Sequence, residues 1–300
     1  MFDSIILEYE GKFGRGRTVD DIVGWVETLP PMPDVVTKAL KLVDDLDSTP
    51  QEIATVLAHD PALVSVILRT ANSAALGRAE TVSSLDEAIQ VVGISHLKSL
   101  LLGLTLKKWN QQFDAVDQMA WEKSLSTGAA ATVVATALRK NFSSTARLCG
   151  LLHNLGQVIM LSRPEVRREY PAVLDYIRDH EVDFAEAERE VIGFSHPLIG
   201  AMVARKWQLP FSLCNTILHY ADPFEGIDSP QDEQIAITKF AAALSQDAGK
   251  GCPPGHPRAG ASLDTLAGAL GFDRATLKDT QTVLIGETTA LYAAEASIFQ

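Results

Sequence analysis

An all-α fold is what this sequence predicts, and three observations predict it. Alanine and leucine dominate a composition that is 46% hydrophobic, whereas aromatic residues make up only 7%. That balance favours packed helices over sheets rich in β-branched and aromatic side chains. Helix start and stop signals follow one another closely. No stretch alternates apolar and polar residues in the way a half-buried strand does. Three hundred residues suggest about two domains at the usual ~150 residues each. The expected architecture is therefore a two-lobed helical bundle, with a lead-in over 1–17, an N-terminal helical lobe over 18–115 and a second helical lobe over 116–300.

Each element has a local reason. The segment 1–17 ends in a glycine- and arginine-rich run, Gly11 to Arg17, and reads as a flexible lead-in. A helix from Val19 to Thr28 stops at Leu29, Pro30, Pro31, Met32 and Pro33, a rigid connector. The segment Asp34–Asp45 places Val35, Ala39 and Leu42 on one face. Thr49, Pro50 and Glu52 form a capping box with proline at the first helical position, and Asp60-Pro61 repeats the cap-plus-proline start for a helix through Ala71. Ser84 and Glu87 open the next helix, which closes at Gly93, and Ser95 caps a long apolar helix ending near Trp109. Gln118–Lys140 is a long helix on which Ser124, Thr127, Gly128 and Ala131 share a face of small residues, suited to close approach by a neighbour. An apolar helix from Ala146 to Met160 follows. Helices over Pro164–His180, Phe184–Ile192, His196–Trp207, Pro210–His219, 232–247 and about Asp273–Ser297 complete the chain, with a Gly/Pro loop over 248–260.

Charge limits the partners. The net charge is −12, with 10 basic against 16 acidic residues in 1–115 and 16 against 22 in 116–300, so neither lobe is basic. A protein that grips nucleic acid through its phosphates needs a clustered positive surface, so no direct nucleic-acid partner is expected. Cys149, Cys214 and Cys252 are scattered, which fits a reducing compartment better than a disulfide framework. The start lacks a basic n-region, and no apolar run reaches ~20 residues, so a cytoplasmic protein without a membrane span is expected.

Several of these stretches carry a resemblance. The Leu29–Pro33 connector, Ile53 through Asp60-Pro61, Leu68 through Asn72, Ser73 and Ala74, then Ser84 through Ile89 and Val91 through Gly93 stand in an order that resembles the HDOD family. The match runs from about Leu29 to Pro223. It implies an HD-type phosphohydrolase-like helical domain joined to an N-terminal helical bundle, serving as a bacterial signalling or scaffolding domain.

The candidate site follows from one polar interruption. His153 and Asn154 sit adjacent in the apolar run, between Gly150 and Gly156, and two buried polar side chains there are costly without partners. A metal-dependent HD-type site needs an early histidine, a His-Asp pair and a later aspartate, with neutral imidazoles and charged carboxylates around the ion. Here Asn154 stands where the pair has aspartate, and no histidine lies between His96 and His153. The resemblance places Lys123 or Ser124 at the early position, and His196 and His219 where further ligands occur in metal-binding relatives. Asp222, on a turn just past His219, is the remaining carboxylate. The expectation is a degenerate pocket of His153, Asn154, Lys123, Ser124, His196, His219 and Asp222, with no catalytic residue, metal or cofactor. Within it, His153 and Asn154 act as a hydrogen-bonded latch between helices.

Arg69, Asn72 and Ser73 form a polar helix end, read either as an interaction surface or as an ordinary hydrogen-bonded turn, with Asn72 or Gly77 in a left-handed conformation. Cys252 and His256 are too few for a metal site. The leading reading is a non-catalytic signal-transduction protein with a protein partner, homodimerisation being left open. The alternatives are a divergent metal-dependent phosphohydrolase or cyclic-dinucleotide phosphodiesterase using His153, His196, His219 and Asp222, and a nucleotide receptor without turnover.

Overall fold

The fold was obtained as a computed structural model, which describes residues 14–29, 31–73, 81–109, 114–140, 143–252, 260–273 and 275–299. Among these every regular element is a helix. The chain divides into two bodies. One takes the residues up to 30 together with Trp109–Ala290, and the other takes Pro31–Lys108 with the end of the chain from Leu291.

The Pro31–Lys108 body contains α2 (Asp34–Asp44), α3 (Pro50–Leu57), α4 (Pro61–Ala71), α5 (Leu85–Val92) and α6 (Ile94–Trp109), the last ending at the boundary. The caps foreseen at Thr49 and Asp60 are present: Thr49 and Glu52 exchange both capping-box bonds, and Asp60 accepts from the amides of Ala62 and Leu63. On α2 the buried face is Val36, Ala39 and Val43, one register on from the expected Val35 and Leu42, which are half-buried. The long apolar helix starts at Ile94, so Ser95 lies inside it and is not its cap. Gly93, at φ 78°, closes α5 and turns the chain by 106° into α6. A non-glycine residue would be strained at that φ. No single described helix is long and apolar enough to cross a membrane.

The other body holds α1 (Val19–Glu27), α7 (Ala115–Ala137), α8 (Ser143–Leu152), α9 (Leu155–Leu161), α10 (Pro164–His180), α11 (Phe184–Val191), α12 (His196–Lys206), α13 (Phe211–His219), α14 (Pro230–Asp247) and α15 (Gly260–Leu270). A final helix, α16 (Leu277–Phe299), runs past the Ala290 boundary. The grouping of α1 departs from the sequence-based boundary at residue 18. The Lys206 ammonium donates to the carbonyls of Val26, Glu27 and Leu29, and Trp25 packs against Phe194 at 5.7 Å between ring centroids. Both contacts tie α1 and its end to residues over 100 positions away in sequence. At the end of the lead-in, the Gly14 amide donates to the Gly193 carbonyl at 3.0 Å, and Arg15 pairs with Glu169. Residues 1–13, Gly77 and His256 lie outside the described residues.

Candidate functional site

The run Ala146–Met160 is two helices. His153 and Asn154 form the break between α8 and α9, and both are fully buried. Glycine at the flanking positions explains the geometry. A Cβ at Gly150 would lie 2.5 Å from the Thr127 carbonyl oxygen and 2.9 Å from the Gly128 Cα, so α8 crosses α7 at backbone contact. A Cβ at Gly156 would lie 1.9 Å from the His196 carbonyl oxygen, so α9 meets the start of α12 equally closely. Two glycine crossings thus bring α7 and α12 onto the turn between α8 and α9. The small-residue face of α7 does the packing expected of it, with Ser124, Thr127, Gly128 and Ala131 all buried.

The hydrogen bonds assign the protons. His153 Nδ1 lies 2.6 Å from the Gly150 carbonyl oxygen, which can only accept, so Nδ1 carries the hydrogen and Nε2 is a lone-pair acceptor. Asn154 Nδ2 donates to the Ala120 carbonyl at 3.1 Å, leaving Oδ1 as an acceptor. His153 Nε2, Asn154 Oδ1 and Thr127 Oγ1 are buried with no hydrogen-bond partner. Burial, the Lys123 charge and His196 together hold the His153 imidazole well below its ordinary pKa, so it is neutral, although the bond to Gly150 opposes them.

Beside the turn runs a fully buried polar chain that the sequence did not reveal. Gln157 Nε2 donates to the Tyr170 hydroxyl, which donates to Glu188 Oε1, both at 2.6 Å. Glu188 Oε2 accepts from the His196 backbone amide at 2.7 Å and from His196 Nδ1 at 2.6 Å. His196 Nε2 shares a hydrogen bond with the Tyr220 hydroxyl. The edge of the Tyr220 ring stands against His153, with ring centroids 4.7 Å apart. Glu188 also sits at the N-terminus of α12, where a negative charge is favoured. Burial pushes both tyrosine hydroxyls well above the ordinary range, and the Glu188 charge adds to the effect, so both stay protonated as donors.

Lys123 is buried at 5% exposure, with its ammonium 4.8 Å from the centre of the Phe184 ring. Burial lowers its pKa, and Cys252, Glu188 and Asp183 pull it back. Ser124 donates to the Ala120 carbonyl and is absorbed into its own helix.

His219 and Asp222 lie in a different place. His219 Nδ1 pairs with Asp222 Oδ2 at 2.8 Å, and both line a cavity of about 480 Å³ with Asn215, Phe224, Glu225 and Lys239. Neither His153 nor His196 lines it. The seven-residue pocket expected from the sequence is therefore divided. Lys123, Ser124, His153, Asn154 and His196 belong to the buried centre, where the residue that reaches both histidines is Tyr220 and the carboxylate on His196 is Glu188. His219 and Asp222 belong to the cavity.

Among the described residues no three His, Cys, Asp or Glu side chains converge as a metal site would require. The fold type implies a divalent ion at the buried centre, and the residues present do not fit one. The available donors, His153 Nε2 and Asn154 Oδ1, are both neutral, Glu188 and His196 are committed to each other, and a lysine cation sits beside them.

The HDOD domain model matches residues 29–223. The chain belongs to the HDOD family. An uncharacterized protein of Treponema pallidum (strain Nichols) is 28% identical over 229 residues, 73% of this chain, and the chain spans 42% of that relative's length. Among solved structures, an HDOD domain protein of unknown function from Geobacter sulfurreducens superposes with a TM-score of 0.66 at 21% identity, over 96% of this chain and 97% of that one. A "Putative signal transduction protein" from Marinobacter aquaeolei VT8 gives 0.73 at 20% identity, over all of this chain and 65% of that one. A "Putative phosphohydrolase" from Shewanella amazonensis SB2B gives 0.67 at 21%, over 91% and 97%. At these identities the structures establish a shared helical fold and nothing finer.

The polar helix end in the other body has a structural assignment. Asn72 Nδ2 donates to the carbonyls of Leu68 and Val82, and Asn72 Oδ1 accepts from the Val82 amide at 2.8 Å. Asn72 thus clamps the segment entering α5 to the end of α4. Its φ of −92° is not left-handed, and the other position named for that conformation, Gly77, lies outside the described residues. Ser73 continues the turn through its amide to Thr70, and Arg69 is exposed beside it.

Proposed function

We propose that this HDOD protein is a non-catalytic signalling component that works by docking to a protein partner, and that its HD-like centre holds the helices of one body in register. The observation that carries the reading is the burial of that centre: His153 and Asn154 are fully buried and His196 is 1% exposed, so none of them presents a face to a phosphoester or an attacking water. A hydrolytic site needs an open coordination position and a polarised water. The signal-transduction description of the Marinobacter structure supports the same class of role. The acidic surface, at net −12, makes a protein partner with a basic face the natural match.

The test is cross-linking and co-purification of the full chain from its host, followed by binding measurements between the purified partner and wild-type or His153→Gln protein. The reading expects equal affinity for both. Phosphodiester turnover by the wild-type protein that His153→Gln abolishes would replace it with the hydrolase alternative.

A further inference from the structure

The cavity that takes His219 and Asp222 has walls of mixed chemistry and an excess of one charge. Its volume of about 480 Å³ lies in the roughly 300–1,000 Å³ range of sites that receive a ligand group. Asp222, Glu225 and Asp232 line it against one cation, Lys239, so with His219 counted neutral its side chains carry a formal −2. A second recess of about 280 Å³ shares Asp222, Pro223 and Lys239 with it and adds Asp183, Glu186 and Arg189, so the acidic lining continues to the start of α11. The floor is braced. The Lys239 ammonium donates to the carbonyls of Tyr220 and Asp222, which occupies two of its three hydrogens. Tyr220 is buried and its hydroxyl reaches His196, while His219 Nδ1 donates to the Asp222 carboxylate at 2.8 Å. A carboxylate held in place in this way lowers the ordering cost of binding.

The lining selects the occupant. Like charges gathered around one cavity repel, and a cation entering among them relieves the repulsion. Among the described residues no three His, Cys, Asp or Glu side chains converge as a metal ion would require, so the matching cation is an organic one. Phe224 and Ile235 add an aromatic and an aliphatic wall. A guanidinium is planar and weakly hydrated, stacks on such a ring and takes a carboxylate in two parallel bonds, whereas an ammonium is a strongly hydrated point charge. We propose that this cavity receives an arginine side chain on a basic segment of the partner protein, with Asp222 and Glu225 as its carboxylate partners and Phe224 as its stacking face. The adjoining recess extends the same acidic track along that segment. Resting on the partner-docking reading, this assignment gives the partner's basic face a specific point of contact.

Fluorescence anisotropy on the full chain, with labelled hexa-arginine and hexa-lysine peptides at about 0.15 M salt, decides it. Hexa-arginine should bind, and hexa-lysine should bind several-fold more weakly. The double variant Asp222→Asn, Glu225→Gln should weaken hexa-arginine about tenfold or more, the scale of losing close charge pairs. A second double variant, Asp179→Asn with Glu190→Gln, changes the net charge equally at exposed positions outside the cavity and should stay within about twofold of wild type. Glu225 is itself exposed, so Glu225→Lys should remain folded and should abolish binding even if the Asp222 variant loses its turn. No binding of hexa-arginine, equal affinity for the two peptides, or equal losses in the two double variants would overturn the assignment. Failure of the underlying reading looks different. A native partner that binds the Asp222, Glu225 variant as tightly as wild type overturns this site and leaves partner docking standing, whereas phosphodiester turnover abolished by His153→Gln overturns the docking reading through a residue outside the cavity.

Discussion

Replacing Glu188 should unfold the body that contains it at far lower denaturant, even though no neighbouring residue in sequence marks it as special. Its carboxylate is fully buried and accepts three hydrogen bonds, from the Tyr170 hydroxyl and from the backbone and side chain of His196. Glu188→Ala leaves three buried donors without an acceptor. Hydrogen bonds to a charged group are worth about 1.5–3 kcal/mol each, but they are not additive here, because the freed groups share one cavity. Leaving buried donors unsatisfied costs about 1–3 kcal/mol each, so about 4 kcal/mol is the expected loss, or roughly 8–16 °C in melting temperature for a body of this size. Glu188→Gln keeps one acceptor oxygen but aims an NH₂ group at a donor, and should lose about 2–3 kcal/mol. Equilibrium urea unfolding followed by tryptophan fluorescence measures this cleanly. Trp25, Trp121 and Trp207 lie in the same body as Glu188, and Trp109 stands at its boundary, so the signal reports chiefly on that body. If both variants unfold within about 0.5 kcal/mol of the wild type, an ordinary surface value, the carboxylate does not organise the centre and the reasoning fails.

Three further outcomes follow from the same geometry. Gly156→Ala forces a Cβ to within 1.9 Å of the His196 carbonyl oxygen and should cost at least ~3 kcal/mol, whereas Gly24→Ala, in an open stretch of α1, should be neutral or stabilising by ~0.5–1 kcal/mol; thermal melts of the pair check both. His153 is held neutral in the fold, while in the unfolded chain it gains a proton near its ordinary 6.5, so the unfolded state binds more protons and stability falls as pH drops below that value. Between pH 6.5 and the folded pKa this contributes about 1.4 kcal/mol per pH unit, and His153→Gln should lose that part of the acid sensitivity in urea titrations at pH 7.5 and 5.5. Burial pushes the Cys149 thiol up to about 12 and the Cys214 thiol up to about 11, so both should resist a thiol reagent in the native protein and react only on unfolding, as mass spectrometry of labelled peptides would show.

The helix ends were legible because their signals are local. Thr49 with Glu52, and Asp60 with Pro61, complete their caps within three residues, and the structure places both helix starts accordingly. The helix Pro164–His180 matches its expected bounds for the same reason, opening on a proline and ending at the left-handed Glu181. The division of Ala146–Met160 was not legible: apolar residues run through the break, and the crossings that create it, Gly150 on α7 and Gly156 on α12, depend on helices distant in sequence. Glu188 was hidden among similar residues. It lies in α11 with Glu186 and Arg189, and only the fold turns it inward while Glu186 faces solvent. Tyr220 stood one position from a histidine that drew attention as a ligand. One residue along a helix is a rotation of about 100°, enough to send Tyr220 to the buried centre and His219 to the cavity.

The most direct test of the non-catalytic reading is a hydrolysis assay on the full chain. Purified wild-type and His153→Ala proteins would be compared on a chromogenic phosphodiester and on cyclic dinucleotides, each with Mn²⁺ or Fe²⁺ supplied. A sealed centre with neutral donors and a lysine cation predicts no turnover above buffer for either protein. Turnover by the wild type that His153→Ala removes, while the variant remains folded by circular dichroism, would contradict the account.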